Sequence, residues 1–350
     1  MIIRDYVKTS LQIIKTNGLH GTSSRVPTGY HRGYEALGDD FPHAVRRSCA
    51  VYERFHGRLP NLLAPSSFTE KQLLFKFFAP IPLCATSDKL GARKYLPSKG
   101  APAVKTPRVI WESKRAELPS NDDIPAGRYW FKSNHGAGTN MPVNFPIDQE
   151  TRTKLEATAE TWLTKIHDRR LGLWWYEFFE RRIFLEEDLS ESGVSADDWK
   201  FFVCNGKVIL IQNDRDRHTR HIQTIYDRDT QKLDVELYFK GGSAVQMPPQ
   251  IDQMIAVAEE IGKSFDFIRV DLFLCRDEIY MGEIGLVPNG GAARTREPFP
   301  DYLLGFHWHA PWMGPKDKTD LTFYKNTRAR KLYDKMPKDT RPTQLFRVQW

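Results

Sequence analysis

From Tyr129 to Asn140 the chain reads Tyr-Trp-Phe-Lys-Ser-Asn-His-Gly-Ala-Gly-Thr-Asn, an apolar run that ends in a lysine and passes into a loop of small residues. Wide aromatic side chains favour an extended strand in the first part. Gly136 and Gly138, one residue apart, let backbone N–H groups come close to an anion. Lys132 at the strand end adds a point charge. A Gly-x-Gly after a strand also fits an ordinary tight turn, so this run alone leaves both readings open.

A second pattern lies nearer the C-terminus. Phe267 to Leu274 alternates polar and apolar residues, as does Glu278 to Ile284, and Cys275-Arg276-Asp277 joins the two. An antiparallel hairpin would set the carboxylates of Asp271 and Glu283 together on one face. Paired carboxylates of this kind suit Mg²⁺, which takes oxygen ligands and usually shares them between one or two side chains and substrate phosphates. Taken by itself, the hairpin equally fits two solvated strand charges.

In order and spacing, these pieces resemble the ATP-grasp superfamily, and within it the branch named for teichuronopeptide biosynthesis, found among bacterial cell-surface polysaccharide genes. The resemblance runs from about Asn61 to about Leu304. It is carried by Ser67 to Lys71, Ser87 to Tyr95, Phe131 to Gly138, Leu185 to Leu189, Asp198 to Lys207, Arg269 to Leu272, and Gly282-Glu283. It implies an α+β ATP-grasp fold in which two α+β lobes clamp ATP, preceded by a small N-terminal α/β unit. Arg93 and Lys132 match basic residues that reach the nucleotide phosphates, and His135, Gly136, Ala137 and Gly138 match a loop that closes over them. Glu186, Glu187 and Leu189 fall where the adenine or ribose is read, with the choice between the two glutamates open. Lys200 resembles a phosphate or ribose contact. Arg269 matches an arginine that stabilises an acyl phosphate, and Asp271 and Glu283 match magnesium ligands. One departure stands out: many relatives place an asparagine two residues after the metal glutamate, whereas this chain has Gly285 there and its asparagine further on, at Asn289.

Between the Lys200 strands and the hairpin lies Asp214-Arg215-Asp216-Arg217-His218-Thr219-Arg220-His221. It reads either as a solvated turn or as a cluster, including Arg217, that binds an acidic substrate or the transferred phosphate. The C-terminal part carries His307, Trp308, His309 and Trp312, followed by a basic stretch from Lys325 to Lys335 and an extended arm from Pro337 to Trp350. Alternating as on a strand, His307 and His309 suggest either a metal pair or, preferably, aromatic packing or a sugar-facing surface.

Organisation follows from these anchors. Residues 1–60 form a helical extension, with Tyr6 to Thr16 and Pro42 to His56 as helices, the second burying Val45, Cys49, Val51, Tyr52 and Phe55. Residues 61–125 form the small α/β unit, where Ser67 and Glu70 give a capping box and a helix near Ser87-Asp88 sets Lys89 and Arg93 on one face. Residues 126–190 form the first lobe, with a helix from Gln149 to about Arg169. Residues 191–305 form the second lobe and 306–350 the tail.

With 350 residues, 40% of them hydrophobic, the chain can bury a large core. Its apolar stretches are far shorter than the roughly 20 residues of a membrane span, and the start lacks the apolar core of a signal peptide, so a cytoplasmic protein is expected. Four cysteines, at positions 49, 84, 204 and 275, have neither disulfide density nor zinc spacing. A net charge of +7 invites a nucleic-acid reading, but charges of both signs alternate and no nucleic-acid motif appears, so ATP or an anionic glycan accounts for it as well.

The leading expectation is an ATP- and Mg²⁺-dependent carboxylate–amine ligase, acting through an acyl phosphate, that attaches an amino acid or peptide to a surface glycan or its precursor. The polysaccharide context comes from the resemblance alone. Alternatives are a nucleotide-binding protein without catalysis, motivated by Gly285, and a glycosyltransferase-like protein that recognises glycan through its aromatic C-terminal part.

Overall fold

The computed structural model describes residues 3–5, 7, 8, 10, 11, 29–62, 65–82, 88–96, 104–165, 171–178, 180–190, 197–215 and 221–310. A two-residue strand β1 (Tyr30–His31) and one helical turn lead into helix α1 (Phe41–His56) and helix α2 (Phe68–Phe78), which is followed by β2 (Ile81–Pro82). Strands β3 (Val109–Ser113), β4 (Gly127–Ser133) and β5 (Asn140–Phe145) precede α3 (Gln149–Thr164) and β6 (Ile183–Glu187). Then come β7 (Asp198–Cys204), β8 (Lys207–Arg215), β9 (Ile222–Tyr226), α4 (Ile251–Gly262), β10 (Phe267–Cys275), β11 (Glu278–Gly285) and α5 (Pro298–His307). The architecture is α+β with antiparallel sheets, as the sequence leads one to expect.

Two sheets carry the molecule. The first has strand order β3-β6-β4-β5, and β3, from the stretch assigned by sequence to the small unit, is its edge. Its inner face packs on α3 through Phe131, Ile183, Leu185, Leu155 and Ala159. The second has order β11-β10-β7-β8-β9. It shares one core with α1, α2, α4 and α5, in which Phe68, Phe267 and Trp308 pack ring against ring. Residues 29–62 belong to this core too, and β1 pairs with β2.

Local chemistry explains the helix starts. Ser67 accepts from the Glu70 amide, and Glu70 accepts from the Ser67 amide, a complete capping box. Glu70 also accepts from the amides of Asn61 and Ser66 and from Arg58 at 2.6 Å, so one buried carboxylate gathers the entry to α2. Asp148 caps α3 by accepting from the Thr151 amide.

Several sequence expectations change. Phe55 does not join the buried stripe of α1 but is 51% exposed; the stripe instead follows Ala44, Val45, Ser48, Cys49 and Tyr52, the positions a 3.6-residue period aligns. The helix near Asp88 is a 3-10 turn, Gly91–Tyr95. Its Gly91 is a poor α-helix former, and Lys89 precedes the turn rather than sharing a helix face with Arg93. Helix α3 ends at Thr164, with Lys165 already extended. His307 closes α5 and Trp308 caps it, so His307 and His309 do not alternate along a strand. Trp308 between them is fully buried among aromatic rings, whereas His309 is exposed. Most of Tyr6 to Thr16, and all of Cys84, Arg217, His218, Arg220, Trp312 and the stretches 325–335 and 337–350, lie outside the described residues.

Candidate active site

On the first sheet, strand alternation sets Lys132 opposite Phe131 and toward Glu186 of β6. The Lys132 ammonium is paired with Oε1 of Glu186, and Arg93 reaches Oε2 of the same carboxylate at 3.4 Å. Glu186 therefore sits between the two cations assigned to phosphate. Glu187 lies elsewhere: its Oε1 accepts from the Arg108 amide at 2.7 Å. The Leu189 carbonyl accepts from the Cys275 thiol at 3.3 Å, linking the end of the first sheet to the hairpin of the second. Close by, Lys105 exchanges backbone hydrogen bonds with Ile279 and Met281, both at 2.8 Å.

After β4 the chain turns through Asn134 to Thr139. Gly136 and Gly138 have φ of 74° and 70°, left-handed values that strain any residue with a side chain, and the Ser133 amide closes the loop on the Thr139 carbonyl at 3.0 Å. Ala137 and Gly138 are exposed at the tip. His135 departs from expectation. Its ring is fully buried, with Nε2 at 3.0 Å from the Trp162 carbonyl and Nδ1 near Ser133 and Asn134. Its side chain thus anchors the loop to α3 rather than facing a nucleotide.

A lysine that sequence reasoning treated only as a neighbour of Arg93 lies under this loop. Lys89 Nζ is 2.9 Å from the carbonyls of both Ser133 and Gly136, 3.3 Å from Thr139 Oγ1 and 3.4 Å from the His135 carbonyl. Burial lowers its pKa to about 8, and the charges it feels most are Glu283, then Lys132 and Glu186. Lys89 therefore stands within electrostatic reach of both sheets' polar groups.

On the second sheet a polar row crosses four strands. Glu283 pairs with Asp271, Asp271 with Lys200, and Lys200 with Gln212. Arg269, two residues from Asp271 and so on the same face, donates to both Asp271 oxygens at 2.6 and 2.7 Å and to Glu283 at 2.7 Å. The buried Lys200 contacts Asp198, Asp271 at 3.1 Å and Asp214 at 3.7 Å. Burial alone would raise the Asp271 pKa, but Arg269 and then Lys200 bring it below the ordinary value. Burial would likewise lower the pKa of Arg269, yet Asp271 and Glu283 hold it above its usual range. Asp214 is hydrogen-bonded by Gln212 and Gln223 and approached by His221 at 3.2 Å.

Asn289, the asparagine displaced from position 285, lies beyond β11. It sits in a left-handed turn with φ of 52°, and its side chain is hydrogen-bonded to Tyr238. Among the described residues no group of three or more His, Cys, Asp or Glu side chains gathers as a metal site. Asp271 and Glu283 form a two-carboxylate donor set, with Glu283 half-exposed, and this fits Mg²⁺, which completes its shell with phosphate oxygens and water.

The paired antiparallel sheets, glycine loop and carboxylate hairpin place the molecule in the ATP-grasp class. The chain belongs to the TupA-like ATP-grasp family, which it matches over residues 73–308. Similar solved structures include a D-alanine–D-alanine ligase from Bacillus anthracis in complex with ATP, at 16% identity and a TM-score of 0.35, covering 58% of this chain and 54% of that one. The ATP-grasp ligase PsnB with minimal precursor, Mg and ADP is 13% identical, with a TM-score of 0.33 over 61% of this chain and 52% of that one. A D-alanine–D-alanine ligase from Helicobacter pylori is 12% identical, with a TM-score of 0.36 over 71% and 68%. The chain thus spans little more than half the length of the first two. No curated protein matches it. No helix among the described residues is long and apolar enough to cross a membrane.

Proposed function

We propose that the protein is an ATP-dependent carboxylate–amine ligase. The observation that carries this reading is the direct contact between the parts that bear the two polar groups: the Cys275 thiol donates to the Leu189 carbonyl and Lys105 bonds to Ile279 and Met281, with Lys132, Arg93 and Glu186 beside the glycine loop and Arg269, Asp271 and Glu283 on the hairpin. One group is basic and able to hold phosphates; the other offers two carboxylates and a guanidinium.

A carboxylate is a poor electrophile toward an amine at neutral pH. Transfer of the γ-phosphoryl group to a carboxylate oxygen, with ADP leaving, makes the carbonyl carbon reactive; the amine then attacks it, phosphate departs and the nitrogen loses a proton. For such a reaction the protein contributes mostly position and charge. Lys132 and Arg93 would leave Glu186 for the phosphates, Glu186 then being free to accept from the adenine amine or a ribose hydroxyl. Arg269 would face the transferred group, with Arg217 a further candidate. Lys200 would serve as a phosphate or ribose contact, tied to the same centre through Asp271. The glycine loop would exclude water from the acyl phosphate. Mg²⁺, held by Asp271 and Glu283, would neutralise phosphate charge.

The family's name points to surface polysaccharide as context, with an amino acid or peptide joined to a glycan-linked partner in the cytoplasm. The test is ADP release from ATP and Mg²⁺ across pairs of uronic acids, amino acids and amines. Release that needs both an acid and an amine supports ligation. Gly285 favours a second reading, nucleotide binding without catalysis, because the asparagine oxygen expected there is missing. Magnesium-dependent ATP binding with no acid-dependent turnover would favour that reading instead.

A further inference from the structure

The base of the glycine loop is tied by the Ser133 amide on the Thr139 carbonyl and by the His135 ring on α3, while toward the tip Thr139 Oγ1 donates to the His135 carbonyl at 2.8 Å and approaches that of Gly136 at 3.4 Å. Gly136, Ala137 and Gly138 make no part of a helix or strand ladder, and glycines give up more conformational freedom on ordering than other residues. A single short segment nonetheless grips the loop at several points. The Lys89 amide donates to the Asn134 carbonyl at 2.8 Å, and Asp88 Oδ1 accepts from the Asn134 side chain at 3.1 Å. The Lys89 ammonium then passes beneath the turn to the Ser133 and Gly136 carbonyls and to Thr139 Oγ1.

An ammonium has three N–H donors. Those of Lys89 face acceptors that belong to the loop itself, on both sides of its tip. Lys132 and Arg93 differ: their charged ends meet the Glu186 side chain, a partner that an incoming phosphate can replace. We infer that Lys89 is the strut of the glycine loop, a positioning residue whose ammonium fixes the loop's shape and leaves phosphate contact to Lys132 and Arg93. The strut itself follows from the loop geometry, while its consequence for nucleotide binding rests on the ATP reading above.

The geometry also sets direction. The Gly136 carbonyl turns inward to Lys89, so the Ala137 N–H of the same trans peptide points the opposite way, the polarity an anion requires. Replacing the ammonium by an apolar group would leave that carbonyl to find water and the Ala137 amide without a fixed aim.

The experiment is amide hydrogen exchange on Lys89→Met and wild type, with calorimetric titration of both by a non-hydrolysable ATP analogue and Mg²⁺. The strut predicts exchange about tenfold or more faster in Lys89→Met at the Ser133 and His135 amides, which close the loop on the Thr139 carbonyl and Ser133 Oγ, with β7 and β10 unchanged, and analogue affinity weakened about tenfold. Should Lys89→Met lose protection in β7 and β10, Lys89→Gln, which keeps donors on a neutral side chain, carries the same comparison. Unchanged loop exchange with weakened analogue binding would make Lys89 a direct phosphate contact and overturn the inference. Unchanged loop exchange with unchanged binding would overturn it as well. If the wild type fails to bind the analogue, the ATP reading falls, and loop exchange alone still decides whether Lys89 is a strut.

Discussion

Asp271 and Glu283 stand directly opposite each other across β10 and β11, and one guanidinium, that of Arg269, bonds to both. A β-bulge between Asp271 and Leu272 ends the regular register just there; such irregularities bend the strand and re-aim side chains. The two carboxylates nonetheless differ in surroundings. Asp271 is buried between Arg269 and Lys200, while the Glu283 side chain is 48% exposed.

That difference separates stability from binding. Asp271→Asn removes the carboxylate that compensates two buried cations, so it should cost about 3–5 kcal/mol of unfolding free energy. Glu283→Gln removes a half-exposed partner of Arg269 and should cost about 1 kcal/mol or less. Urea unfolding of the two variants checks the contrast; equal losses would contradict it.

Gly285 offers a gain-of-ligand test. A Cβ built there meets nothing within 4 Å, and its backbone lacks the positive φ that would strain a side chain. Gly285→Asn should therefore change stability by no more than about 0.5 kcal/mol while tightening Mg²⁺ in the presence of an ATP analogue. Mg²⁺ titration reads this out, and unchanged or weaker Mg²⁺ binding in a folded variant would argue against a metal beside Glu283.

Lys76 gives a pH signature. It is buried on α2, donating to the Leu171 and Gly290 carbonyls at 2.6 and 3.1 Å, and burial lowers its pKa to about 7. The unfolded chain would keep this lysine protonated to about pH 10.4. Above pH 7 the unfolded state thus binds more protons, and stability rises with pH by up to about 1.4 kcal/mol per unit. His56 acts in the same sense at lower pH. Burial lowers its pKa to about 4, so stability falls as pH drops from about 6.5 toward that value. Urea unfolding at pH 7 and 9 should show a rise in wild type that is smaller in Lys76→Met. Equal rises would remove Lys76 from the account.

How much of this was legible in sequence depends on the range of the interaction. The capping box of Ser67 and Glu70 and the hairpin that pairs Asp271 with Glu283 rest on near neighbours and strand period, and both are readable as patterns. The tight hairpin turn fits this too: Arg276 and Asp277 both take positive φ to make it. Lys89 was not legible because its partners are backbone carbonyls 44 to 47 residues away, and carbonyls leave no trace in side-chain patterning. His135 looked like part of a nucleotide loop; only the approach of α3, which brings the Trp162 carbonyl to its ring, turns it inward. Glu186 and Glu187 could not be separated by motif. Pairing of β3 with β6 gives Glu187 the Arg108 amide and leaves Glu186 to Lys132 and Arg93.

The most direct test is calorimetric titration of a non-hydrolysable ATP analogue into wild type, Lys132→Ala and Glu283→Gln, with and without Mg²⁺. The account predicts binding in wild type that strengthens with Mg²⁺, weakens in Lys132→Ala with or without the metal, and loses its Mg²⁺ dependence in Glu283→Gln. A folded wild type that binds no analogue, or variants that bind as wild type does, would contradict it.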